Sequence, residues 1–233
     1  MDIGSYMKKK TVLFVLSSHN KKGDKGGDTG YHLGEVAHPW KVLHDAGVDM
    51  DLVSPKGGEP PVDGFDLKDP INLEFWENPI YKEKRTQTKK PNEVDPQNYD
   101  AIFFAGGHGT MWDFPNNEEL QRLAREIYER GGIVAAVCHG PAIFSNLKLS
   151  DGTPLVAGKR VNGFSNEEEM EIKHQEIVPY SLEDKLKSLG AVYKKSPPWT
   201  SHVEVDNRLI TGQNPQSATN VGHAILKSLE SIE

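Results

Sequence analysis

The stretch Ile133-Val134-Ala135-Ala136-Val137-Cys138-His139-Gly140-Pro141-Ala142 decides how this chain folds. Its first five residues are apolar without alternation, the pattern of a strand covered on both faces, as in a parallel sheet. The pattern breaks at Cys138-His139-Gly140, and Pro141 stands at a first helical position that Ala142 to Leu147 continue. A strand turning this abruptly into a helix lifts the residue at the turn to the sheet edge and aims backbone amides at it. That is the logic of a nucleophile elbow, although the residues of the Gly-x-Ser-x-Gly version are absent. Cys138 holds that position, and it is the only cysteine among the 233 residues.

Working outward, Ala101-Ile102-Phe103-Phe104-Ala105 reads as a second buried strand and runs into Gly106-Gly107-His108-Gly109. Thr11 to Ser17 and Val48 to Ser54 read as further strands, with short ones at Ala191–Lys194, Val203–Val205 and Leu209–Thr211. Helical spacing marks Glu35 to Ala46, Glu118 to Arg130, Ser181 to Leu189 and Pro215 to Leu229. Pro39 is compatible with the first of these only in a first turn. The alternation predicts an α/β sandwich with a mainly parallel sheet and helices on both faces. Residues 1–10 read as an extension. Residues 11–233 read as one domain, with an insertion at about 55–100 that holds seven prolines and one short helix. The insertion's basic cluster, Lys82, Lys84, Arg85, Lys89 and Lys90, is diluted by Glu83 and Glu93 and reads as a solvated face. Ligands of such sheets sit at the carboxyl ends of the strands, where His19, Gly107, His108, Cys138 and His139 all fall.

Twenty-seven Lys and Arg against 34 Asp and Glu leave a net charge of −7 with no basic face, which argues against nucleic acid as a partner. The longest apolar run, Ile133 to Cys138, is six residues and is too short for a bilayer. One cysteine excludes an intramolecular disulfide and a cysteine-only metal site. With no apolar segment in the first ten residues, a reducing compartment, the cytoplasm, is expected.

A free cysteine is ordinarily a small buried hydrophobe. The elbow and the adjacent His139 favour a nucleophile instead, with its thiol pKa lowered by the helix dipole and nearby amides. His139 reaches the thiol only because the chain turns there, and an oriented imidazole needs an acceptor on its other nitrogen. Glu167, Glu168 and Glu169 offer one, although three adjacent glutamates on their own read as a solvated face. The amides of Gly107 and His139, beside His108, are candidates for an oxyanion and substrate site. Gly23 to Gly30 lacks the Gly-Lys-Ser/Thr ending of a phosphate loop, so no nucleotide cofactor is expected. Glu35 reads either as a first-turn acid favoured by the dipole or as a carboxyl beside the thiol, raised in pKa and able to shuttle protons. His32 and His38 flank it, but no tight ligand motif supports a metal, and none is expected.

Ala135 to Ala142, Ala105-Gly106-Gly107-His108-Gly109-Thr110, Gly34-Glu35 with His38-Pro39, and Thr211 to Ser217 together resemble the DJ-1/PfpI superfamily. Within it they are most similar to the Hsp31-like branch, the glutathione-independent glyoxalases, over about Thr11 to Leu229. The resemblance implies a flavodoxin-like fold with the cysteine at a strained elbow, a homodimer, and no cofactor. It implies Cys138 as nucleophile, His139 as its partner, Glu35 as the carboxyl against the thiol, and a triad acid in the run after Phe164. Spacing from Phe164 favours Glu169, with Glu168 and Glu167 as alternatives. The implied reaction is glyoxalase III-type, a cysteine-dependent lyase (the D-lactate dehydratase class) turning the 2-oxoaldehyde methylglyoxal and water into lactate. Two other readings stand beside it: a cysteine-dependent amidase, peptidase or protein deglycase on the same elbow, and a stress holdase chaperone that needs no thiol.

Overall fold

The computed structural model describes residues 9–232, so the expected extension falls almost wholly outside the described residues. One sheet carries the architecture, buried on both faces at its centre but not at its Val203–Asp206 edge, and it has six strands. These are β1 (Thr11–Val15), β3 (Asp49–Val53), β5 (Ala101–Phe104), β6 (Ile133–Val137), β9 (Val203–Asp206) and β10 (Leu209–Gly212). Every residue of β5 and β6 is fully buried, as the unbroken apolar runs predict. The sheet order is β3-β1-β5-β6-β10-β9. All neighbours run parallel except the β9–β10 hairpin at one edge. Val12 lies beside both Met50 and Ala101, and Phe104 beside Ala136. The carboxyl ends of β1, β5, β6 and β10 therefore share one edge.

Helix α1 (Leu33–Asp45) packs with the C-terminal α8 (Ala218–Ser231), and α5 (Glu118–Glu129) packs separately on β5 and β6. In α5, Leu120, Leu123, Ala124 and Ile127 form the buried stripe. Burying each large side chain there contributes roughly 1.5–3 kcal/mol. Asn117 caps the helix by accepting from the Leu120 amide at 2.9 Å. Two short parallel pairs lie outside the main sheet: β2 (Tyr31–His32) with β4 (Val62–Asp63), and β7 (Arg160–Val161) with β8 (Val192–Tyr193). The first pair delivers the chain straight into α1 and so fixes the direction of its first turn.

Three sequence expectations are corrected here. Pro39 is the seventh residue of α1, because the helix begins at Leu33; it forfeits one backbone bond, and the buried Val36, Trp40 and Leu43 hold the turn around it. The proline-rich insertion holds two helices, α2 (Pro70–Glu77) and α3 (Pro79–Thr86), rather than one. Pro70 and Pro79 are first-turn residues, and Asp69 and Asn78 cap the helices through their side chains, so these prolines start helices instead of breaking them. The segment after Pro141 winds as a 3-10 helix over Gly140–Asn146, tighter than the α-helix expected.

Candidate active site

The elbow residue Cys138 has φ +61°, a left-handed conformation that costs an L-residue about 1–2 kcal/mol. Neighbouring segments hold it there: its amide donates to the Gly212 carbonyl at 2.9 Å, and its own carbonyl accepts from Phe164 at 2.8 Å. The turn brings the Cys138 Sγ to 3.5 Å from Nδ1 of His139, the neighbour that a straight strand would send to the opposite face. On its other side, Nε2 of His139 meets the Glu169 Oε2 at 2.7 Å. The ring edge is set against Phe164, with centroids 4.4 Å apart at 86°.

The three glutamates sit on helix α6 (Asn166–Glu171), and the 100° step per residue sends them three ways. Glu167 is exposed and pairs with Lys195 at 2.7 Å. Glu168 closes a capping box with Ser165 and is fully buried. It accepts from the Ser165 amide and hydroxyl, Gln213 Nε2, the Trp199 amide and Asn214 Nδ2. Glu169 is the one that reaches His139. Two of the three, Glu168 and Glu169, are therefore buried organisers, and only Glu167 keeps to the solvated face that composition describes.

Glu169 carries a second imidazole: its Oε1 meets Nε2 of His108 at 2.8 Å. Burial and the neighbouring His139 push His108 down to about 4, so it is neutral and donates its Nε2–H. Burial opposes ionisation of Glu169, but His139 and His108 outweigh it and hold the carboxyl well below its usual range. His108 is thus engaged with the acid, a pairing across 61 residues that no local spacing signals. His19, also at the strand ends, stacks on Trp112 at 5.3 Å.

Glu35 arrives from the first turn of α1. It is 1% exposed, and the Cα of Gly106 lies against its carboxyl: a side chain at Gly106 would put its Cβ 2.1 Å from Oε1. The same Cβ would lie 3.0 Å from that of Cys138, so the missing side chain is what lets carboxyl and thiol share one space. The Cys138 thiol and the Gly106 amide face the carboxyl, yet neither Glu35 oxygen has a partner in hydrogen-bond geometry. Burial drives Glu35 up to about 8. Burial also pushes the Cys138 thiol well up, reinforced by the charges of Glu35, Glu168 and Glu169. This reverses the lowered pKa expected from the elbow. A short 3-10 helix supplies a weak dipole, whereas enclosure and three carboxyls act directly on the sulfur.

Gly107 has φ +112° and lets the chain turn away after Gly106. Among the described residues, the Gly107 and His139 amides donate to no backbone carbonyl of a turn, loop or cap. Both lie in the loops beside the thiol. The metal grouping considered around Glu35 and His38 does not form: His38 is tied to Asp69 and Thr219 at 2.7 and 3.2 Å. The one metal-like spacing among the described residues is His108, His139 and Glu169, and their facing atoms are already joined by hydrogen bonds.

Comparison with known proteins places the chain in a family. The model of the DJ-1/PfpI family matches residues 28–228. The chain is similar to glyoxalase 3 of Candida albicans, 34% identical over 94% of this chain and 98% of that protein. It is similar to the glutathione-independent glyoxalase of Saccharomyces cerevisiae, 36% identical over 91% and 94%. Among solved structures, the 24 kDa rapid encystment protein of Francisella tularensis superposes with TM-score 0.91 at 41% identity, covering 94% of this chain and 99% of that one. Candida albicans glyoxalase III superposes at 0.86 with 31% identity, covering 94% and 97%. With the family model matching residues 28–228 and these two curated relatives 34% and 36% identical over 94% and 91% of its length, the chain belongs to the DJ-1/PfpI family.

Proposed function

We propose that this chain is a glutathione-independent glyoxalase that converts methylglyoxal and water into lactate, with Cys138 as nucleophile. The names of the curated relatives support the activity. The observation that carries the mechanism is a thiol with two separate proton-transfer groups, the Glu35 carboxyl on one side and His139 on the other. Plain acyl hydrolysis needs only the second.

The thiol gives up its proton to a neighbouring base as sulfur attacks the aldehyde carbon, forming a hemithioacetal. The Glu35 carboxylate then takes the hydrogen from that carbon, and the C–H electrons become the double bond of an enediol. Returning a proton to the adjacent carbon gives a lactoyl thioester on Cys138. Water, activated by His139 with Glu169 behind it, cleaves the thioester and restores the thiol. Negative charge developing on oxygen is received by the amides of Gly107 and His139. His108 supports the acid instead of the oxyanion, in keeping with its bond to Glu169.

The remaining expectations accompany this reading: one domain over residues 11–233, a homodimer, and the cytoplasm. A continuous core and the lone thiol support the first and the last. Among the described residues, no helix is long and apolar enough to cross a membrane. The decisive assay supplies methylglyoxal without glutathione and quantifies lactate. Cys138→Ala is expected to abolish product while leaving the thermal transition within a few degrees, since the lost sulfur costs about 1 kcal/mol. Retained turnover in that variant contradicts the mechanism.

A further inference from the structure

Glu35 sits in a closed space. Cys138 is 3% exposed, His139 1% and Glu35 1%, so a proton taken up by that carboxyl has no direct contact with bulk water. Among the described residues, the titratable side chain that joins it to the outside is His32. Nδ1 of His32 lies 3.6 Å from Oε2 of Glu35, while the His32 side chain is one-third exposed. That Nδ1 is buried and has no hydrogen-bond partner, and neither has either Glu35 oxygen. An imidazole nitrogen and a carboxyl left unpaired side by side inside a protein require an explanation. Catalytic hydrogen bonds are often long in an empty site and tighten once substrate is bound.

The far edge of the His32 ring leads outward. It lies over the Cα of Gly64, where any Cβ would stand 2.7 Å from Nε2. It borders a cavity of about 360 Å³ whose lining includes His38, Asp69 and Gln216. Asp63 and His38 are the other charged or titratable groups that act on this ring from outside the catalytic array. Burial and the neighbouring imidazoles hold His32 below its ordinary pKa, so it rests neutral with one nitrogen free to accept.

We propose that His32 is the port through which the proton held by Glu35 exchanges with solvent, so that His32 sets whether the product keeps the hydrogen of its substrate. The proposal rests on the glyoxalase reading above. After Glu35 has taken the hydrogen from the hemithioacetal carbon, two fates compete. The same proton returns to the adjacent carbon, and the hydrogen is retained. Alternatively, the carboxyl O–H passes its proton to Nδ1 of His32 while Nε2–H releases one to water in the cavity. The ring then turns about its Cβ–Cγ bond, its Nδ1–H exchanges with cavity water, and on turning back it hands a solvent proton to Glu35, which delivers it to carbon, while Nε2 takes a proton from water. No electrons move except those of the bonds named, and no co-reactant is needed.

The test is turnover of ordinary methylglyoxal in D2O, with deuterium at C2 of lactate read by NMR in the wild type, His32→Gln and His32→Ala. The label fraction is measured on product already formed, so it does not depend on how much of each variant is folded. Wild-type lactate is expected to carry deuterium at C2, the fraction is expected to fall severalfold in both variants, and added imidazole is expected to restore it in His32→Ala. Equal label in all three proteins, or full hydrogen retention in the wild type, overturns the role of His32. Absence of lactate from the wild type overturns the glyoxalase reading instead.

Discussion

A carboxyl and a thiol that both cling to their protons are the chemical centre of this molecule. With Glu35 raised to about 8 and the thiol higher still, the resting pair is doubly protonated at neutral pH. The reacting form has lost one of those protons, whichever atom keeps the other. kcat/KM is therefore expected to rise as pH climbs towards about 8 and then level off; a flat profile from pH 6 to 9 contradicts the arrangement. Glu35→Gln is expected to lower turnover by about two to four orders of magnitude. The same substitution bears on stability. Because the folded-state pKa lies above the unfolded value of 4.5, wild-type stability is lost as pH rises from about 4.5 towards 8. At pH 7 the glutamine variant is expected to be more stable by up to about 3 kcal/mol, a gain that vanishes near pH 4.5. Thermal transitions of both proteins across that window check the sign. The charge of Glu35 and its place in a helix first turn were legible from the sequence. Its proton affinity was not, because that follows from burial against Gly106.

At the scale of one element, α6 shows how a short helix can position a catalytic group. It has six residues, and Glu168 ties its start to Gln213, Asn214 and Trp199. Removing that acceptor strands several buried donors at once. Glu168→Ala is expected to cost about 3–5 kcal/mol in urea denaturation and to remove activity, because Glu169 rides on the same turn. Glu167→Ala, one residue earlier, breaks only the exposed pair with Lys195 and is expected to change stability by less than about 1 kcal/mol. Similar losses from both substitutions contradict this division. The three glutamates are indistinguishable by composition. What separates them is the helical step and partners lying some 30 to 46 residues away in the chain.

Across the whole molecule, the insertion is fastened through α1. The Trp40 ring is fully buried, stacks on His44 at 4.7 Å, and meets Phe75 and Tyr81 edge-on, each at 5.4 Å. One residue thus couples α1 to both insertion helices. Trp40→Ala is expected to cost about 3–5 kcal/mol and to speed hydrogen exchange in residues 70–86 before the sheet is affected. Unchanged protection there sinks the claim that Trp40 anchors the insertion. Unbroken apolar runs made β1, β5 and β6 legible, and periodicity did the same for α5. The insertion was harder to read because prolines mark helix starts as readily as breaks, and only the caps Asp69 and Asn78 distinguish the two.

By itself the sequence determined the α/β layering, the elbow at Cys138 and the adjacency of His139. These depend on patterns within a few residues, where backbone sterics and burial of apolar side chains act directly. Only the tertiary structure decided which glutamate meets His139, that His108 shares it, that His32 faces Glu35, and that the thiol holds its proton more tightly than an ordinary cysteine. Those outcomes arise from contacts across the chain and from exclusion of water, and neither exists until the sheet edge has been assembled.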